Sequence, residues 1–176
     1  MAQARKTTRS RTRTAPPPAR EAWITYGPKK KLRSFVRQVN EAAPMAIVRT
    51  ERAGVHAQLL KDLARDMAIP ASRMFAILGI PKATAEKKIA AGELIAGQGG
   101  QAAIGLVRLL GQAEAMAVES TADAAADFAA AKWLGQWIET VQPTLGGRKP
   151  ADLLDTPTGL DMVSRLLGAI QSGAYQ

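Results

Sequence analysis

The sequence predicts an all-α protein with a basic N-terminal arm, a helix-turn-helix half and a small helical C-terminal domain. Three observations carry that expectation. Alanine supplies 34 of the 176 residues while aromatic residues make up 5%, and alanine is the best helix former and a poor strand former. Apolar residues recur at three- and four-residue spacing along most of the chain. No segment alternates apolar and polar side chains as a half-buried strand must.

The charge is unevenly placed. The formal net charge is +9, from 24 Lys and Arg against 15 Asp and Glu. Residues 1–33 hold ten basic residues and one acid, and residues 34–176 hold 14 of each. Within that neutral body, 34–100 has nine basic and six acidic residues, and 101–176 has five and eight. The absence of cysteine removes disulfides, thiol nucleophiles and thiolate metal sites. A single histidine removes most zinc arrangements and leaves little for a Ser-His-Asp triad. No apolar run reaches the 18 residues a membrane span needs. The expectation is a cytoplasmic protein with no cofactor that is not an enzyme.

The elements follow in order. Residues 1–20 are rich in Arg, Ser and Thr and end in Pro16 to Pro18, too polar to fold alone. The composition also fits a mitochondrial transit peptide, but no amphipathic stripe accompanies it. Trp23, Ile24 and Tyr26 form an apolar knot that should dock on the body or a partner. Phe35, Val36 and Val39 stripe a short helix from Ser34 to near Pro44. Leu59, Leu60, Leu63 and Met67 mark another, stopped by Pro70. Helices are expected over roughly 71–78 and 82–91, joined by a Gly79-Ile80-Pro81 turn. Gly97-Gln98-Gly99-Gly100 reads as a loop, and Ile104, Val107, Leu110 and Met116 as a longer helix. Ser120, with Asp123 three residues on, is the expected cap of a helix through Ile138. A turn spans Pro143 to Gly147, and Pro150 opens a short helix. Thr156-Pro157 caps the last helix, striped by Leu160, Val163, Leu167 and Ile170 and ended by Gly173. The domain reading is an arm over 1–33, a helix-turn-helix domain over 34–118 and a C-terminal domain over 119–176.

The pair joined by Gly79 fits a helix-turn-helix, in which glycine permits the sharp turn and the second helix enters the major groove. Lys82, Thr84, Lys87 and Lys88 on that second helix and Arg73 on the first are the candidate DNA contacts. A plain helical corner would carry the same glycine. Arg9, Arg11 and Arg13 of the arm are candidates for the phosphates and the minor groove; a solvated tail is the alternative. His56 reads as a helix-flanking residue, and Asp152 and Asp155 as helix-start carboxylates.

The most specific pattern is C-terminal. Trp133 and Trp137 stand one turn apart, followed by Gln142-Pro143-Thr144-Leu145-Gly146-Gly147-Arg148-Lys149-Pro150. Next come Leu153-Leu154-Asp155-Thr156-Pro157-Thr158-Gly159 and a closing Leu166-Leu167-Gly168-Ala169-Ile170-Gln171-Ser172-Gly173-Ala174-Tyr175. In order and spacing this resembles the C-terminal toxin-binding domain of the Xre/MbcA/ParS antitoxin family. Glu51 to Val55, the Leu59–Met67 helix and the Gly79 turn resemble that family's helix-turn-helix half, so the likeness covers about residues 50–176. Departures are present: Gln142-Pro143-Thr144 stands where the family commonly has Pro-Asn, and Lys149 where it often has a capping Thr.

The resemblance implies an antitoxin whose N-terminal half binds operator DNA and represses its own operon, as a homodimer on a two-fold operator. Its C-terminal half would bind a RES-domain, NAD-using toxin and cover the active-site opening. The implied toxin-facing residues are Leu145, Gly146, Gly147, Arg148, Arg165, Gly173 and Tyr175. From the residues alone, the tryptophans read as core, Leu145-Gly146-Gly147 as a turn needing positive φ, and Arg148 and Arg165 equally as a solvated face. A DNA-binding regulator, or an architectural nucleic-acid-binding protein, without a toxin partner remains the alternative.

Overall fold

Small residues at helix crossings set how this chain packs. The computed structural model describes residues 23–27, 30–120 and 129–173. In it α1 (Leu32–Asn40) and α2 (Pro44–Ala53) lead into a short strand β1 (Val55–His56). Three helices follow, α3 (Gln58–Asp66), α4 (Ala71–Ile77) and α5 (Lys82–Ala91), then strand β2 (Leu94–Ile95). The long α6 (Gly97–Ser120) precedes α7 (Ala130–Ile138), two 3-10 turns (Pro143–Leu145 and Pro150–Asp152) and α8 (Pro157–Gln171). The class is all-α, with one two-stranded antiparallel ribbon pairing Val55 with Ile95 and His56 with Leu94.

The central element is α6, on which α1, α2, α7 and α8 all pack. Its glycines are the contact points. A Cβ on Gly105 would run into Leu160 of α8, and one on Gly111 into Asn40 at the end of α1. One apolar core results, running from Phe35 and Leu63 through Ile104 and Leu110 to Leu134, Val163 and Leu167. The boundary expected at residue 118 therefore falls inside α6, and the two halves share a core.

The elements depart from the sequence expectation in three places. Residues 97–100 are the first turn of α6, not a loop. Glycine serves there for proximity: a Cβ on Gly99 would lie 2.5 Å from Ile80 Cγ1, and one on Gly100 2.5 Å from the Ile95 carbonyl oxygen. Helix α2 was not expected, because its one fully buried residue is Thr50 and it shows no apolar stripe. Ser120 closes α6 and does not head the next helix, which is described from Ala130; Asp123 and Phe128 lie outside the described residues. Helix α1 starts at Leu32, and Tyr26 ahead of it is buried.

The knot around Tyr26 is pinned by polar bonds. The Ile24 amide donates to Thr50 Oγ1 (2.9 Å), and the Tyr26 hydroxyl donates to Asp62 Oδ2 (2.5 Å). The Tyr26 ring meets Phe35 edge to face, centroids 4.9 Å apart. Burial and the bond to Asp62 hold the phenol well above its usual pKa, so it stays a donor. Asp62, itself buried, also takes Gln58 and Arg65. Tyr26→Phe removes the shortest of those bonds and should cost about 1–2 kcal/mol, measurable as a fall of a few degrees in Tm.

Candidate functional site

Two surfaces carry the candidate residues. The first is the α4–α5 pair. Helix α4 ends with the Ile80 amide bonded to the Phe75 carbonyl (2.8 Å) and the Gly79 amide to that of Ala76 (3.0 Å), with Gly79 at φ +65°. That pair of hydrogen bonds is the Schellman closure, which places a left-handed residue just past the helix. Pro81 then fixes the entry to α5.

Ala85 is the one buried residue of α5, and nearly all the rest of the helix faces solvent. Lys82, Thr84 and Lys87 are exposed and Lys88 is half-buried. Lys82 Nζ lies 3.8 Å from Glu86, whereas Lys88 Nζ is tied to Glu93 (3.3 Å) and the Leu94 carbonyl (2.9 Å). The first turn of α5 holds no carboxylate, so its positive dipole end stands beside Lys82 and Thr84, a polarity suited to phosphate. Arg9, Arg11 and Arg13 lie outside the described residues.

Arg73, expected among the DNA contacts, is engaged elsewhere. Its Nε is 2.6 Å from Glu139 Oε1, and its Nη2 is 3.2 Å from Glu139 Oε2 and 3.4 Å from Asp152 Oδ1. Lys149 Nζ reaches Glu139 Oε2 at 3.2 Å. The hydrogen bond from Arg73, aided by Lys149 and opposed by burial, lowers the Glu139 pKa. A carboxylate lowered on folding stabilises the protein above its unfolded pKa, about 4.3 in peptides, and that contribution is lost as pH falls through the lowered folded value. Glu139→Gln should therefore lower Tm at pH 7, with the gap to wild type closing in acid; a pH series of thermal melts reads this.

The second surface is the loop after α7. The Gln142 amide donates to the Arg148 carbonyl (3.0 Å) and the Gly147 amide to that of Gln142 (3.2 Å), closing a loop with its own backbone. Leu145 is half-buried against the core. Gly146 (φ +67°) and Gly147 (φ +75°) are exposed, with nothing within 4 Å of where a Cβ would stand. Positive φ is what the sequence asked of this turn, and glycine meets it without strain. Arg148 is exposed beside them.

Behind the loop, Trp133 and Trp137 stack at 6.0 Å and 11° and pack against the core. Thr156 caps α8 by accepting from the Gly159 amide (3.1 Å). Lys149 supplies no side-chain cap for its 3-10 turn, matching the departure from Thr seen in the sequence. On α8, Arg165 is exposed and paired with Asp161 (2.8 Å). Gly173, at φ +67°, follows the helix end. The structure thus gathers Leu145, Gly146, Gly147 and Arg148 into one loop and sets Arg165 and Gly173 on a separate element. Tyr175 lies outside the described residues.

Sequence reasoning missed Glu139 as the shared partner of Arg73 and Lys149, and took Asp152 for a cap. No local pattern links residues 66 positions apart. Among the described residues no group of His, Asp or Glu could hold a metal ion, and no helix is long and apolar enough to cross a membrane.

Comparison with known proteins bears on this surface. Residues 113–173 match the model of the antitoxin Xre/MbcA/ParS C-terminal toxin-binding domain. The chain is also similar to the Prs ADP-ribosylating antitoxin of Sphingobium sp. (strain YBL2), 37% identical over 134 residues, which is 76% of this chain and 83% of that protein. That alignment is longer than the matched C-terminal region and reaches into the half that carries α4 and α5.

Proposed function

The chain belongs to the Xre/MbcA/ParS antitoxin family, and from that premise we propose that its partner is a RES-domain, NAD-using toxin that it inhibits by steric occlusion. The observation that carries this is the Leu145–Arg148 loop, closed on itself with Gly146, Gly147 and Arg148 exposed, within the region matched to a toxin-binding domain. A turn held by backbone bonds presents its surface with little ordering cost on binding. The name of the similar Sphingobium antitoxin, with its reference to ADP-ribosylation, supports the toxin class. Leu145, Gly146, Gly147, Arg148, Arg165, Gly173 and Tyr175 form the toxin-facing set, and the chain does no chemistry of its own.

The N-terminal half represses the operon in the bacterial cytoplasm as a homodimer on a two-fold operator. Lys82, Thr84, Lys87 and Lys88 meet phosphates and base edges from α5, and Arg9, Arg11 and Arg13 add minor-groove and phosphate contacts. The exposed face of α5 supports this. Co-expression with the RES toxin tests the partner: growth should be restored by the full chain, and continued toxicity contradicts the reading. Footprinting tests the DNA half: protection should be confined to an inverted repeat near the promoter, and uniform protection of any duplex contradicts it.

A further inference from the structure

We propose that Arg73, on a helix of the DNA-binding half, is a positioning residue for the toxin-facing loop; this rests on the toxin reading above. Its guanidinium fastens both stems of that loop at once. Glu139 follows the last turn of α7, before the loop, and Asp152 ends the 3-10 turn after it. Arg73 grips Glu139 through two nitrogens and reaches Asp152 with one of them. Lys149 closes the stems directly on Glu139.

At the tip, Leu145 packs against the core, while nothing lies within 4 Å of the Cβ positions of Gly146 and Gly147. An apolar contact is non-directional, so the hydrogen bonds at the stems orient the loop. A planar fork is needed to span two carboxylates, which a lysine ammonium does not reproduce. An independent contact ties the same parts together: a Cβ on Gly135 of α7 would enter the Met67 backbone, just before α4. The N-terminal half is thus the platform that aims the loop, and Arg73 is its grip.

Hydrogen exchange on the full-length chain, wild type against Arg73→Gln, tests this. Amides of residues 140–149 should exchange about three- to tenfold faster, the size expected when a partly exposed clasp is released, with α6 and α8 unchanged. Toxin association should weaken by a similar factor. Binding to a 20-base-pair duplex should stay within about twofold, because a phosphate contact is not being removed. Arg73→Gln combined with Glu139→Gln should cost less than the sum of the two single changes, since both break the Arg73–Glu139 pair while each also loses a contact of its own. Arg73→Lys should recover only part of the protection. Unchanged loop exchange, or lost duplex binding with an unaffected loop, overturns the proposal and returns Arg73 to the DNA. Should the wild-type chain bind no RES toxin, the partner reading falls, and the exchange comparison alone decides whether Arg73 holds the loop.

Discussion

Gly135→Ala should destabilise the protein by about 2–3 kcal/mol, the range for forcing extra volume into a packed contact. In a chain of this size that is a fall of about 5–10 °C in Tm. The added methyl would enter the Met67 carbonyl and come within 3.1 Å of Met67 Cβ. Backbone cannot rotate away as a side-chain tip can, so α7 must lift from the α3–α4 turn. Gly168→Ala is the control. Its Cβ would meet the side-chain amide of Gln112 at 3.3 Å, which is bonded to Ser164 but need give only a few tenths of an ångström, and alanine is the better helix former inside α8, so its Tm should fall far less. A Gly135→Ala melt that overlays wild type would mean α7 is not seated as described.

Gly146→Val with Gly147→Val should do the opposite, disabling the loop while sparing the fold. Both glycines sit at positive φ in open space, so no clash with neighbours arises. The penalty is purely of backbone conformation, about 1–3 kcal/mol for each non-glycine residue held there. A β-branched residue is a marked outlier in that region, and the loop should abandon its geometry to relieve it. Toxin association should weaken by about 100-fold, the equivalent of about 2.7 kcal/mol. Far-ultraviolet circular dichroism and duplex binding should remain near wild type, with Tm lower by several degrees at most because the loop sheds the strain by leaving its geometry. Full toxin neutralisation by the double variant would show that the loop is not the recognition element.

What was legible in the sequence was whatever a few adjacent residues decide. The Gly79-Ile80-Pro81 turn was readable because its two closing bonds run to Ala76 and Phe75, and the next helix starts at the proline. Thr156-Pro157 was readable because the cap reaches only to Gly159. The positive φ at Gly146 and Gly147 needed no knowledge of surroundings. Distant partners were not legible. Gly99 and Gly100 resemble loop glycines until Ile80 and Ile95 are seen against them. Tyr26 joins the body through Asp62, 36 residues on. Arg73 looked like a DNA contact because sequence gives a charge and a helix but not the carboxylate opposite. Two-residue strands such as β1 and β2 leave no period to detect.

A mixture of this chain and a RES-domain toxin, both purified, decides most directly whether the chain binds and covers that toxin. Size-exclusion chromatography with in-line mass measurement should show one peak whose mass is a whole-number combination of both chains, and the toxin in that peak should lack NAD-consuming activity. Two peaks at the masses of the separate proteins, or a joint peak in which the toxin stays active, would contradict it.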